Sequence, residues 1–283
     1  NTKQKTSYAR GGFTADRKMG NYETKIEVDY FHQVSKLVDN TDLSRIQLVA
    51  EAQWSIKKGV AFIIGFTEDL LTFQNAIQNN DLIYKFGEEV AFQLHDLGVH
   101  INFAPVVDIN NNPKNPIIDR RSFSSSKYVV SEKSLLYMQA LQDNHILACA
   151  KHFPGHGDTD IDSHKSLPVI NHDLNRIDTI ELYPFKKLIN HGLGSVMVAH
   201  MNLPNIDTLG IPSSFSKYLI SDILKTQLGF NGLVISDALN MNALSDYKSP
   251  GERELNAFLA GNDILLYPDH ISEALSLIKS SVI

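Results

Sequence analysis

Titratable side chains are closely spaced in residues 148–168, directly after a short apolar segment. The apolar residues 146–150 lead directly into Lys151 and His152, and the pair Pro154-Gly155 then interrupts the chain. The acids and histidines that come next are His156, Asp158, Asp160, Asp162 and His164. This order predicts a strand whose C-terminal end opens into a titratable loop, which is where parallel α/β proteins carry their catalytic groups.

The spacing of Asp162 and His164 is suited to general acid–base catalysis. Only Ser163 separates them, so an Asp-His dyad could form within one turn. The carboxylate would orient the imidazole and raise its basicity. Such a histidine could protonate a leaving oxygen and later accept a proton from water.

A metal site is the alternative interpretation of this loop, since its histidines and acids are all possible ligands. However, Pro154-Gly155 lies between His152 and His156, so these two cannot share one helical face as the histidines of a metalloprotease helix do. No other segment offers an obvious remote ligand. We therefore expect no metal ion and no other cofactor.

A second candidate for chemistry is Asp237, which ends an apolar run and is followed by Ala-Leu-Asn-Met. A carboxylate exposed at the end of a strand could attack an anomeric carbon as a nucleophile. The alternative is a helix N-cap, in which the same carboxylate accepts a backbone N–H. Position alone does not decide between the two roles.

These motifs resemble those of a known enzyme family. Lys-His-Phe-Pro-Gly-His-Gly at 151–157, followed by Asp-Ser-His, resembles the signature of glycoside hydrolase family 3 in its β-N-acetylglucosaminidase branch. Val-Ile-Ser-Asp-Ala-Leu-Asn-Met at 234–241 resembles the nucleophile segment of the same family. Segments 101–108, 195–200 and 260–266 also fit in the family's order, and the resemblance covers roughly residues 46–270, whereas the first 45 residues match poorly.

The resemblance implies a retaining glycosidase that removes terminal β-linked N-acetylglucosamine or a related hexosamine from peptidoglycan or chitin-type fragments. It implies Asp237 as the nucleophile and His164 with Asp162 as the acid/base dyad. The implied sugar-binding residues are Lys151, His152, Arg121, Glu51, His200 and Met201. Arg121 is chosen over Arg120 only because Arg-Ser-Phe matches the family.

The binding wall departs from the family pattern after residues 46–50. The family places an aspartate there and a glutamate two positions later, whereas this chain has Glu51 and Gln53. Two other functions therefore stay open. A phosphorylase would use the same dyad with phosphate in place of water, since a histidine repels an incoming anion less than a carboxylate does. A non-catalytic sugar-binding relative would bind glycosides without turnover.

Short β-branched runs alternate with helical-period segments along the chain, which predicts βαβ units and a parallel sheet. The predicted strands are 12–15, 46–52, 99–107, 146–152, 195–200, 233–237 and 263–267. The predicted helices are 82–96, 131–144, 178–191, 217–228 and 253–260. Because no linker or repeat interrupts this alternation, we predict one domain over residues 1–283.

Polar residues gather at the C-terminal ends of the predicted strands, namely Glu51, Asp108, Lys151, His152, His200 and Asp237. This is the pattern of a barrel with its active site on the βα loops. A doubly wound open sheet would add a glycine-rich phosphate turn after its first strand, and none is present. We predict an α/β, TIM-type (β/α) barrel that lacks, or has replaced, its first strand and helix, because only seven strands are counted.

The composition excludes several classes of protein. With 43% hydrophobic and 20% charged residues, the 283-residue chain can bury a full core. A net charge of −6 argues against a nucleic-acid partner, and no run is long enough for a transmembrane segment. The single cysteine, Cys149, lies in an apolar strand and is expected to be a small buried hydrophobe. The expected partner is a carbohydrate substrate, while the oligomeric state and the compartment stay open.

Overall fold

The computed structural model describes residues 7–19, 22–34, 63–64, 80–160 and 166–282, without side chains for the first three ranges. Glu51, Asp162 and His164 lie outside the described residues, as does the predicted strand 46–52. Within the described part, no helix is long and apolar enough to cross a lipid bilayer.

The N-terminal described residues form an antiparallel hairpin of β1 (Ser7–Met19) and β2 (Tyr22–Val34). The prediction that 12–15 is a barrel strand is wrong, because this segment pairs with residues 26–29 in a separate two-stranded sheet. Between Tyr22 and Tyr30, apolar or β-branched residues alternate strictly with charged ones. That period of two is typical of a strand with two unlike faces, and it is the signal that identifies β2.

The remaining described strands form one parallel sheet in chain order. They are β3 (Ile63–Ile64), β4 (Ile101–Asn102), β5 (Leu147–Phe153), β6 (Ser195–Val198) and β7 (Leu233–Ser236). The predicted strand 263–267 contributes a single parallel bridge between Ile264 and Ile235. Strand β3 is an addition to the prediction and lies in the apolar run 60–66.

Helices connect the strands, as the predicted alternation requires. The helices are α1 (Asn80–Asp96), α2 (Lys127–Asp143), α3 (Leu174–Arg176), a π-helical turn (Ile177–Glu181), α4 (Leu182–Ile189), a π-helix (Tyr218–Gln227), α5 (Glu252–Ala260) and α6 (Ile271–Val282). All five predicted helices are confirmed within a few residues. Helix α6 is an addition to the prediction, although Ile271, Ala274, Leu275 and Ile278 follow a helical spacing.

The sheet is apolar on both faces, because side chains alternate along each strand. One face carries Ala148, Ala150 and Val196, which pack into the large cluster shared with the helices. The other face carries Cys149, Met197 and Ile235, which form a smaller cluster inside the curve of the sheet. Cys149 is a free, fully buried thiol, and burial raises its pKa to about 12, so the prediction of a buried hydrophobe is confirmed.

The same alternation positions the polar strand ends. Lys151 lies two residues beyond Cys149, and Asp237 lies two residues beyond Ile235, so each continues the interior face of its strand. The sheet therefore ends, at its C-terminal edge, in charged groups that stand above the interior apolar cluster.

Candidate active site

Asp237 follows β7 directly and is only partly accessible. Its backbone N–H donates to the Val198 carbonyl (2.8 Å), and its Oδ1 accepts the Ala238 N–H (2.8 Å). Burial opposes ionisation of this carboxyl, but the imidazoles of His200 and His152, the Ala238 N–H and the Lys151 ammonium together hold its pKa below the usual value. Asp237 is therefore an anion at neutral pH, which is the state a nucleophile requires.

Strand β5 brings Lys151 and His152 to the same edge. The register between β5 and β6 becomes irregular between Ala150 and Phe153, and the Lys151–His152 and Phe153–Pro154 peptide bonds are cis. Burial and the nearby Arg121 guanidinium lower the pKa of Lys151 to about 8. Burial lowers the pKa of His152 to about 4, although Asp108 opposes that shift. At neutral pH the lysine is therefore mainly charged and the imidazole is neutral.

Arg121 is the last residue of a 3₁₀ turn, Asp119–Arg121. The next residue, Ser122, donates its hydroxyl to the Asp108 carbonyl (2.7 Å), which ties the turn to the segment that follows β4. The guanidinium lies close enough to Lys151 and His152 to lower the pKa of both. Arg121 therefore belongs to the same cluster of charges as Asp237.

The sequence predicts that Asp108 lies at the edge of the sheet but assigns it no function. In the structure its carboxylate binds both His152 and His156. The residue is 1% exposed. Its carboxylate accepts the His152 Nδ1–H at 2.7 Å, the His156 N–H at 2.6 Å and the His152 N–H at 3.2 Å. The signal for this role is weak in the sequence, since the partners lie more than 40 residues away along the chain.

His200 and Met201 are predicted as sugar-binding residues, and the structure places both in the protein interior. Both residues are 0% exposed. The Ser214 hydroxyl donates to His200 Nδ1 (2.7 Å), and His200 Nε2–H donates to the Ala238 carbonyl (3.0 Å). Burial lowers the pKa of His200, so the ring is neutral and has no ring nitrogen left for a ligand. His200 instead holds the turn that follows Asp237.

The loop after β5 is anchored close to the protein. The buried Asn115 side chain donates to the His156 carbonyl (2.8 Å), and the Thr159 hydroxyl lies 2.7 Å from His156 Nδ1. At Gly157 a side chain is excluded, because an added Cβ would lie 1.8 Å from the Ile109 carbonyl oxygen. The first part of the loop, up to residue 160, is therefore positioned by β4 and its extension.

An ion-pair cluster lies beside this loop. Asp158 contacts His172 Nε2 (2.6 Å) and Arg176 (3.4 Å), and Arg176 also pairs with the buried Glu181. One potential metal-ligand atom each from Asp158, His172 and Glu181 lies within 4.8 Å of the others. Because Arg176 already pairs with both carboxylates, the arrangement is better explained as a salt-bridge network that links the loop to α3.

The structure thus brings together four of the predicted site residues: Asp237, Lys151, His152 and Arg121. It adds Asp108, and it buries His200 and Met201 completely. Glu51, Asp162 and His164 lie outside the described residues. The arrangement can hold an anionic carboxylate next to a cationic donor and a neutral imidazole in a largely buried setting, which suits nucleophilic attack on a polyhydroxylated ligand.

Comparison with known proteins gives the site a context. The model of the family described as "Glycosyl hydrolase family 3 N terminal domain" matches residues 59–282. A protein named beta-hexosaminidase A from Pseudoalteromonas piscicida is 37% identical over 195 residues, which are 65% of this chain and 33% of that protein. The chain spans between about a third and somewhat more than half of the length of the curated relatives it matches.

Solved structures agree with the match to glycosyl hydrolase family 3. A family 3 β-N-acetylglucosaminidase from Paenibacillus sp. str. FPU-7 superposes with a TM-score of 0.70 at 36% identity, covering 75% of this chain and 40% of that one. A structure titled "Beta-glucoside phosphorylase BglX bound to 2FGlc" superposes with the same TM-score at 25% identity, again covering 75% and 40%. The same fold therefore occurs in proteins named for hydrolysis and for phosphorolysis.

Proposed function

Since the chain belongs to the family of glycosyl hydrolase family 3 N-terminal domains, we propose that it is a retaining glycosidase acting on terminal β-linked N-acetylglucosamine or a related hexosamine. The domain is a TIM-type (β/α) barrel, as the sequence predicts. The names of the relatives and the N-acetylglucosaminidase neighbour support the choice of glycone.

The observation that carries the proposal is the ionised Asp237 at the end of β7 beside Lys151. In the first step its carboxylate attacks the anomeric carbon, and the bond from that carbon to the glycosidic oxygen breaks as a covalent glycosyl-enzyme forms. In the second step water attacks the same carbon, and Asp237 leaves as a free carboxylate. Retention of configuration follows from two successive inversions.

Protonated His164, stabilised by Asp162, is proposed to donate its proton to the departing glycosidic oxygen. The neutral imidazole then accepts a proton from the attacking water, which returns the enzyme to its starting state. Lys151, His152 and Arg121 are proposed to bind hydroxyl groups of the glycone, and Glu51 to bind the outer ones. His200 and Met201 support this pocket from behind.

The decisive test is Asp237→Asn. We expect the variant to fold normally and to form no glycosyl-enzyme, because an amide is a poor nucleophile. A fluorinated slow substrate should raise the mass of the wild-type protein by one glycosyl unit, and peptide mapping should locate that unit on Asp237. Labelling of a different carboxylate would refute the assignment.

The acid/base proposal has its own test in His164→Ala. Substrates with a nitrophenolate leaving group need no proton, so they should still glycosylate the enzyme, whereas natural substrates should lose roughly 100- to 10,000-fold. Azide should then speed turnover by attacking without base assistance. Equal losses for all leaving groups, without azide rescue, would remove His164 from the reaction.

Phosphorolysis is a second candidate, supported by the phosphorylase neighbour and by the cationic pair of Lys151 and Arg121 in the pocket. In that reaction phosphate attacks the glycosyl-enzyme in place of water and leaves with the sugar. An assay of aryl β-glycosides of N-acetylglucosamine, glucose and xylose, with and without phosphate, separates the two. Glycosyl phosphate among the products would establish the phosphorylase.

A further inference from the structure

The buried carboxylate of Asp108 has no role in the reaction proposed above, yet it accepts several hydrogen bonds at the sheet edge. Its Oδ2 lies 2.7 Å from His152 Nδ1, and its Oδ1 accepts the His156 N–H at 2.6 Å. The side chain is 0% exposed. A buried charge is tolerated only when its hydrogen bonds are satisfied, so these donors are needed.

The protonation states of the pair follow from its surroundings. Burial alone would raise the pKa of Asp108, but the His152 imidazole, the His156 imidazole and the His156 N–H more than offset burial and hold it below the usual value. With a pKa of about 4, His152 is neutral at pH 7 and carries a single ring proton. Because a carboxylate can only accept, that proton lies on Nδ1, and Nε2 keeps its lone pair.

Among the described residues, His152 Nε2 has no hydrogen-bond partner. His152 nevertheless interacts electrostatically with Asp237, Lys151 and Arg121, which places the ring among the groups of the pocket. Lys151, the preceding residue, offers only donors. The two neighbouring residues therefore have opposite hydrogen-bonding roles, since Lys151 can only donate and His152 Nε2 can accept.

We propose that Asp108 is a positioning residue that holds His152 as the Nδ1–H tautomer, so that Nε2 accepts a hydrogen bond from a hydroxyl group of the bound sugar. The identity of that ligand rests on the proposed function, whereas the tautomer does not. A hydroxyl group is the natural partner of such a pair, because it can donate to His152 while accepting from Lys151.

The His152 ring cannot be a second general acid in this arrangement. A general acid is efficient when its pKa lies near the working pH. Burial keeps the pKa of His152 at about 4, well below neutrality. The Asp108–His152 pair therefore serves recognition, even though it resembles a catalytic dyad in its atoms.

The same residue also ties three segments together. Its carboxylate binds the end of β5 through His152 and the start of the following loop through the His156 N–H, and its backbone carbonyl accepts the Ser122 hydroxyl next to Arg121. Asp108 thus fixes the imidazole of His152 and also anchors the backbone next to Arg121. Such support is what keeps a binding group within the small tolerance that recognition requires.

Asp108→Asn is a tautomer switch and not merely a deletion. If the amide oxygen of the variant keeps the His156 N–H, the amide NH₂ faces His152 Nδ1 in place of Oδ2. Nδ1 must then accept, and the single ring proton moves to Nε2. His152 would change from an acceptor to a donor toward the pocket, with the side-chain volumes nearly unchanged.

The first measurement needs no substrate. Long-range ¹H–¹⁵N spectra of histidine-labelled protein at pH 7, assigned with His152→Gln, report which ring nitrogen carries the proton. We expect Nδ1–H for His152 in the wild type and Nε2–H in Asp108→Asn. An Nε2–H tautomer in the wild type overturns the proposal even if the variant fails to fold.

The second measurement uses nitrophenyl glycosides in which each glycone hydroxyl is replaced in turn by fluorine, which can accept but not donate. At one position we expect a loss of about 10-fold in kcat/KM for the wild type, as for one hydrogen bond, and less than about 3-fold for Asp108→Asn. In a His152→Ala background, Asp108→Asn should no longer change this ratio. Asp263→Asn, which alters an acid near the start of β7, is the matched control.

The outcomes separate the two hypotheses. Identical fluorine losses in the wild type and in Asp108→Asn overturn the positioning role, whatever the spectra show. If no glycoside is turned over by the wild type, the proposed function fails, and the spectra alone then decide the tautomer. An Nδ1–H to Nε2–H change with a selective fluorine effect supports both.

Discussion

His152, next to last in β5, and His200, two residues beyond the neighbouring β6, both lie at the C-terminal edge of the sheet, but their hydrogen bonds give them different roles. Both are buried, and burial lowers the pKa of both, so both rings are neutral. His152 donates its Nδ1–H to Asp108 and leaves Nε2 unoccupied by the described residues, whereas in His200 Nδ1 accepts from Ser214 and Nε2–H donates to the Ala238 carbonyl. A histidine at the catalytic edge is therefore a ligand or a support according to its partners.

A carboxylate partner and a hydroxyl partner have opposite consequences for the far nitrogen of a histidine ring. Asp108 can only accept and so leaves a lone pair on the far nitrogen of His152. Ser214 donates to Nδ1, so the ring proton of His200 lies on Nε2, and this Nε2–H donates to the Ala238 carbonyl. His200 thereby fixes the backbone beside Asp237, and His152 stays available to a ligand.

Replacing either histidine with alanine should have the largest effects on stability and on substrate binding. We expect His200→Ala to lower the free energy of unfolding by about 2–4 kcal/mol, since it leaves a cavity and an unpaired buried carbonyl. The midpoint of thermal unfolding should fall by several degrees. His152→Ala should also lose stability, because it removes a short hydrogen bond from the buried Asp108 carboxylate, and in addition it should raise KM about 10-fold for one lost hydrogen bond to the sugar. An unchanged KM in His152→Ala would remove the distinction.

The pH profile sharpens the contrast between the neutral imidazoles and the charged lysine. Lys151 has its pKa lowered to about 8, so its ammonium loses a proton as the pH rises through that value. With nitrophenyl glycosides, whose leaving group needs no proton from His164, we expect kcat/KM to fall as the pH rises through about 8 and to level off at a lower value. Lys151→Arg should be less active but should lose this alkaline limb, because guanidinium stays charged. Lys225→Arg, on the surface, should keep it.

A smaller effect is expected from Ser214→Ala, which removes only the donor to His200. The buried Nδ1 would lose its partner, which costs about 1–3 kcal/mol. Because the Asp237 turn depends on His200, kcat should fall a few-fold while KM stays near the wild-type value. Ser280→Ala, on the exposed side of α6, is the control for unfolding measurements. A change in KM alone would contradict the supporting role of His200.

The smallest effect concerns Glu51, which lies outside the described residues. Glu51→Asp restores the residue type expected of the family and should change the ratio of KM values between glycosides by a few-fold, with kcat nearly unchanged, since outer-hydroxyl contacts contribute uniform binding. Steady-state kinetics on the three aryl glycosides measures it. The same ratios in both proteins would place residue 51 outside the sugar pocket.

Local patterns in the sequence are sufficient for most of the barrel and for the positions of its polar strand ends. Strands β5, β6 and β7 and the helices between them are close to prediction, because apolar runs and helical spacing are local signals. The hairpin of β1 and β2 is not among the predictions despite its strict alternation, and neither is β3, which lies within a short apolar run. Residues 12–15 are predicted as a barrel strand but belong to the hairpin, because a local pattern can identify a strand without identifying the strand it pairs with.

Strand alternation and strand ends, which are local features of the sequence, place Asp237, Lys151 and His152 at the edge of the sheet. Which atoms of those groups are available depends on contacts between distant segments. The carboxylate that binds His152 lies 44 residues away along the chain, and the carbonyl that binds His200 lies 38 residues away, each in a segment that follows another strand. A ring nitrogen is free or occupied according to such contacts, and hydrogen bonds between distant segments exist only once the sheet has formed.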